Sequence, residues 1–205
     1  MTQKDGQMRK ILILLALLCV QLSINAQEQA LSTAKDFLKQ MPEGVIPILT
    51  HNNVLDMLDF ISAGQKAEVT NRMNGKSEMT QLSTSSASIS LCSTTRVDLH
   101  LMPCADNKTL IYLISTTEAA DSLRDSVVKV YDSRWQLAGD EYQIKNFDPR
   151  LFNDVKINTQ TKSLTMQETQ HQLVFDGESS SDTHNVVRIR HAVWDENKGI
   201  FKFTD

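Results

Sequence analysis

Every strong helical signal in this chain falls before Gly64, and almost everything after it reads as strand. Helices that alternate with strands would feed a parallel sheet, whereas helices gathered at one end leave the strands to pair antiparallel. The order therefore predicts an α+β fold, in which short N-terminal helices pack on a largely antiparallel β-sheet made by the rest of the chain. Residues 27–205 are expected to form a single α+β domain. A weak two-lobe division could fall near 138–162, where polar residues gather.

The helical end is punctuated by proline. Pro42 and Pro47 lack an N–H and bias the preceding residue away from helix, so a first helix should stop at Met41. Ser32 or Thr33 can cap it, with Ala34, Phe37, Leu38 and Met41 on one stripe. A second helix can begin only after Thr50. Asn52 or Asn53 is the expected cap, Asp56 the acid in the first turn, and Val54, Leu55, Leu58 and Ile61 the buried stripe. Asp56 and Asp59 share the outward face, as a candidate cation or partner surface or simply as the solvated side of the helix. Gly64 is the expected left-handed stop. Lys66–Met73 and Lys76–Ser83 then flank Asn74-Gly75, the dipeptide that most favours a two-residue type I′ hairpin.

Two segments in this region, MPEGVIPILTHNNVLDMLDF (Met41–Phe60) and AEVTNRMNGKSEMTQL (Ala67–Leu82), resemble the signature of a family of small exported proteins of unknown function from Bacteroidales-type bacteria, domain-of-unknown-function family 3256. His51 and Val54 depart from the residues expected there. Beyond Thr95 only the strand rhythm and a closing Trp194–Phe201 segment are similar. The resemblance implies an uncharacterised lineage and an exported address, and it brings no catalytic residues.

The first residues agree with that address. Lys4, Arg9 and Lys10 precede the ten-residue apolar run Ile11–Val20, and Asn25-Ala26-Gln27 follows. Ten residues are too few to span a bilayer, which takes about 20. Residues 1–26 read as a signal peptide cut near Ala26. Cys19 follows the bulky Leu18, which a lipoprotein signal disfavours. This leader holds three basic residues and one acidic, so its removal takes the net charge from −4 to −6. An acidic surface argues against nucleic acid and anionic lipid as partners. No later run is long enough to cross a membrane.

The strands are expected at Ile89–Leu91, Val97–Leu101, Thr109–Thr116 as the most buried, Val127–Tyr131, Leu164–Glu168, His171–Phe175, Val186–Trp194 and Ile200–Phe203. Cys92 and Cys104 are separated by one strand of about 20 Å, too far for a disulfide, whose Cα atoms lie within about 7 Å.

Few residues point to chemistry. Gly75-Lys76-Ser77 resembles the end of a phosphate-binding loop, but Thr70 stands where the earlier glycine belongs. The five histidines have no metal-ligand spacing, although His171, His184 and His191 all sit on late strands. No serine lies in a Gly-x-Ser-x-Gly elbow. Trp135, Trp194, Tyr112, Tyr131 and Phe201 could line a groove, though strand aromatics are usually core. Ser122 and Ser126, in Asp-Ser-Leu and Asp-Ser-Val, match a short O-glycosylation pattern of exported proteins in this bacterial group.

No catalytic, cofactor-binding or metal-ligating residue is assigned, and no cofactor is expected. The function expected is that of an exported, non-catalytic binding protein in the periplasm or at the outer membrane, with a protein or glycan partner in the cell envelope. The alternatives are a hydrolase-type enzyme or a small-ligand carrier whose site assembles only in the fold.

Overall fold

The computed structural model describes residues 33–119, 123–144, 147–148, 150–176 and 179–204, with side chains throughout except over 172–185. The expected signal peptide, Ser32 and Ser122 lie outside the described residues.

Two helices come first, α1 (Ala34–Lys39) and α2 (His51–Ser62), then ten strands: β1 (Ala67–Thr70), β2 (Lys76–Leu82), β3 (Ser86–Ser90), β4 (Thr95–Pro103), β5 (Thr109–Glu118), β6 (Arg124–Tyr131), β7 (Phe152–Asn158), β8 (Ser163–Asp176), β9 (Ser179–Asp195) and β10 (Ile200–Thr204). They form two antiparallel sheets, ordered β1-β2-β3-β4-β5-β6 and β10-β9-β8-β7. This corrects the expected α+β architecture. There is no helical layer on a single sheet: α1 has six residues, and α2, the one longer helix among the described residues, runs beside the edge strand β1. The early helical signals were real but too short to cover a sheet, and the layer opposite β4–β6 is a second sheet.

That second layer depends on β7, which is absent from the sequence-based expectations. Asn153, Asp154, Lys156 and Asn158 make the segment look like a polar connection, yet Val155 and Ile157 alternate with them and are buried. The segments expected as separate strands at 164–168 and 171–175 are one strand, β8, whose register to β9 shifts between Glu168 and Thr169. The extra residue is Val187 on β9, which lies between the partners of Glu168 and Thr169.

One core joins the sheets. Met102, Leu110, Tyr112, Ile114 and Val130 from the first face Val155, Leu164, Met166, Ala192 and Trp194 from the second. Tyr112 is fully buried, edge-on to Trp194 with centroids 5.9 Å apart and to Phe201 at 5.3 Å. The Trp194 indole N–H donates to the Pro103 carbonyl at 2.8 Å, and Trp135, also buried, donates to Phe37 at 3.1 Å. Trp135, Trp194 and Tyr112 are structural anchors, as strand aromatics usually are.

Several local signals resolve differently from expectation. Thr50, three residues ahead of Asn53, caps α2: its hydroxyl accepts from the Asn53 N–H, and the Asn53 side chain reaches back to the Thr50 N–H. This capping box moves Asp56 out of the first turn. Gly64 does end the helix at φ +69°, with Gly64 N–H donating to Ile61 and Gln65 N–H to Phe60, a Schellman pair. The Asn74-Gly75 turn is not type I′. Asn74 has φ +59° while Gly75 has no positive φ, and the last paired residues are Thr70 and Lys76, which leaves a five-residue loop.

Asn71 organises that loop. Its buried side-chain oxygen accepts from Met73 N–H at 3.0 Å and Gly75 N–H at 3.1 Å, and its amide donates to the Ser77 hydroxyl at 2.9 Å. Asn71→Ala would remove these three hydrogen bonds, each worth about 0.5 to 1.5 kcal/mol. A loss of about 2 kcal/mol or more is expected in urea unfolding, against a small effect for Gly75→Ala, whose added carbon would meet Asn71 at 3.4 Å.

Candidate functional site

Register places the polar groups of the first sheet on one face. Antiparallel neighbours share a face, so the rows Ser90–Arg96–Thr116–Ser126, Ser88–Asp98–Ile114–Val128 and Ser86–His100–Tyr112–Val130 stand side by side. On β5 and β6 the lower two rows are apolar and lie under the second sheet. On β3 and β4 they are Ser86, Ser88, Asp98 and His100, of which the two serines and the histidine open into a cleft of about 450 Å³. One wall carries Ser83, Ser85, Ser86, Ser88 and His100; the other is the turn after β7, Asn158 to Gln160. The Ser85 hydroxyl donates to that of Thr159 at 2.9 Å and ties the two walls together.

His100 is the unusual group. Its Nδ1 is buried and has no hydrogen-bond partner. Burial holds the imidazole pKa at about 4; Asp98 opposes the shift and Arg96 reinforces it. The ring is therefore neutral at pH 7; it lines the cleft, while its unpartnered nitrogen is covered by protein. Asp98 is engaged elsewhere: one carboxylate oxygen accepts from the Ser88 hydroxyl at 2.5 Å and the other from Arg96 Nε at 2.7 Å. Ser88 directs its proton at Asp98, a carboxylate already engaged by Arg96, and not at an imidazole. This arrangement offers hydrogen bonds to a neutral polar ligand.

A pH dependence follows. The folded pKa lies below the unfolded value of 6.5, so the unfolded chain takes up the His100 proton first as pH falls. The contribution is complete above pH 6.5 and is lost as pH drops toward 4, about 3 kcal/mol in all. Urea unfolding at pH 7.5 and pH 4 should show the protein losing that much more stability than His100→Phe.

The other candidate residues sit elsewhere. Asp56 and Asp59 are exposed on α2 and do not line the cleft. Ser126 is buried; its hydroxyl pairs with Thr116 at 3.0 Å and accepts from the Val155 N–H at 3.1 Å, so a glycosyltransferase would reach it only in an unfolded chain. His171 and His184 are directly opposed across β8 and β9, but His191 faces Thr165, about 20 Å along the ladder. The late histidines thus make no triad, and no cluster of three metal-ligating side chains occurs among the described residues. Cys92 and Cys104 are both free. Hydrogen bonds from the hydroxyl and N–H of Thr94, then from Thr95, bring the exposed Cys92 thiol down to about 7, while burial pushes Cys104 up. His100 was visible in the sequence only as a polar residue on an alternating strand, and no local signal marked the Asn158–Gln160 wall.

A family model described as "Protein of unknown function (DUF3256)" matches residues 21–176. The chain belongs to that family. The DUF3256 match extends well past the Met41–Leu82 resemblance and takes in both walls of the cleft. No curated protein matches the chain. A solved domain of an uncharacterized protein from Porphyromonas gingivalis W83 is similar in structure, with a TM-score of 0.61 at 14% identity, covering 83% of this chain and 96% of that one. At that identity the likeness shows a common fold alone. No helix among the described residues of this DUF3256 chain is long and apolar enough to cross a membrane.

Proposed function

We propose that this DUF3256 chain is an exported, non-catalytic binding protein of the cell envelope that holds a glycan in the cleft between β3–β4 and the turn after β7. The observation that carries the reading is His100 Nδ1, a buried nitrogen without a partner in a wall of neutral hydroxyls. A turn of the ring toward the cleft would present that nitrogen to a sugar hydroxyl, which can both donate and accept and so suits either imidazole tautomer. The remaining lining is of one kind. Serine and threonine hydroxyls and the Gln81, Asn158 and Gln160 amides match a neutral polyhydroxyl ligand, and no ionised side chain lines the cleft. Export is supported by the charged start and short apolar run of residues 1–26.

The test is a glycan array probed with residues 27–205, followed by calorimetry on any hit. His100→Phe keeps a ring of similar size and removes the nitrogen, so it should abolish the signal. Binding retained in both His100→Phe and Ser86→Ala would place the ligand elsewhere, and an array without hits would remove the glycan reading.

A further inference from the structure

The opposite face of the first sheet carries a second cavity, of about 270 Å³, under the turn that joins the two helices. Its walls are Val45 and Ile46 of that turn, Leu91 after β3, Val97 on β4, Leu113 on β5 and Val127 on β6. Register explains why these side chains meet: Val97, Ser115 and Val127 form one cross-strand row, and Leu113 and Lys129 are opposed in the next. Leu91, Val97 and Leu113 are buried, whereas Val127 is 57% exposed at the mouth. Two polar groups complete the lining, the Ser115 hydroxyl and the Lys129 ammonium.

Lys129 differs from the lysines of the β1–β2 hairpin at the other edge of the sheet. Lys66 and Lys76 are both engaged by Glu68, but the exposed Lys129 makes no ion pair with a described residue. An unpaired cation at the rim of an apolar cavity selects a ligand with a hydrocarbon body and an anionic end. The hydrocarbon gains by leaving water, and the anion gains from the ammonium and the adjacent hydroxyl while it stays partly hydrated. We propose that this cavity binds a medium-chain aliphatic carboxylate, with the chain between the 45–47 turn and the sheet and the carboxylate at Lys129 and Ser115. A cationic amphiphile would meet the ammonium, and a neutral alcohol would leave the charge unused. The site is separate from the glycan cleft, so it stands or falls independently of that reading.

Calorimetry with octanoate, octanol and octyltrimethylammonium on residues 27–205 tests it. Octanoate should bind most tightly, octanol roughly fivefold more weakly, and the cation not measurably. Lys129→Met, at an exposed position, should fold normally and bring octanoate to the octanol level. Val127→Trp should narrow the mouth and weaken octanoate and octanol together. Equal affinity for octanoate and octanol in the unmodified protein, or an octanoate affinity unchanged in Lys129→Met, would overturn the proposal. So would the absence of octanoate binding at millimolar concentration.

Discussion

Arg188→Ala is expected to cost about 2 to 4 kcal/mol, because the arginine is half exposed but the carboxylate it serves is fully buried. Glu168 is fully buried on the inner face of β8, and its carboxylate receives both Nε and a terminal N–H of Arg188, the latter at 2.9 Å. The two residues are register partners, so the pair closes directly across the β8–β9 ladder. Truncating the arginine leaves a carboxylate with little access to water. The double variant Glu168→Leu with Arg188→Met removes both charges and should recover most of the loss, because buried pairs replaced by apolar side chains are often neutral or better. Urea midpoints of the single and double variants decide the matter. A single variant within about 1 kcal/mol of the parent would mean that Glu168 does not depend on Arg188.

Tyr112→Ala should be comparably severe, about 3 to 5 kcal/mol, since it removes a ring at the centre of the inter-sheet core. The cavity would open between Trp194 and Phe201, side chains of the second sheet, so the loss reports on packing between sheets as well as within one. Tyr112→Phe separates the hydroxyl from the ring. It gives up only the hydrogen bond to the Tyr142 carbonyl, 3.1 Å, and should cost about 1 kcal/mol. Denaturation of both variants gives the two figures. A small effect of Tyr112→Ala would show that the sheets do not lean on one another at this point.

Local readings held where the deciding physics was local. The stop at Gly64 needs only a left-handed residue after a helical turn, and the strongly buried TLIYLIST run lies within β5, as its lack of alternation indicated. Readings failed where a distant group intervened. Asn74-Gly75 favours a two-residue turn in isolation, but the Asn71 side chain anchors a wider loop to Ser77 and to the Leu91 carbonyl. Asn153 and Asp154 look like loop residues, yet they sit buried on a strand: the Asn153 side-chain amide donates to the Leu151 carbonyl at 2.8 Å and Lys156 pairs with Asp154 at 2.9 Å, while one side-chain oxygen of each is buried without a partner.

The sequence by itself determined the two short helical segments, most of the strands, their antiparallel habit and the early position of the helices. These follow from residue periodicity, proline and glycine, which act over a few residues. Only the tertiary structure decided that there are two sheets, that β7 is a strand, and that Ser86, Ser88 and His100 face the turn after β7. Those outcomes depend on which strand faces come together, and pairing between residues some sixty positions apart leaves no mark in local pattern. The same limit hid the state of His100, whose burial and unfilled Nδ1 are set by neighbours that no spacing rule connects to it.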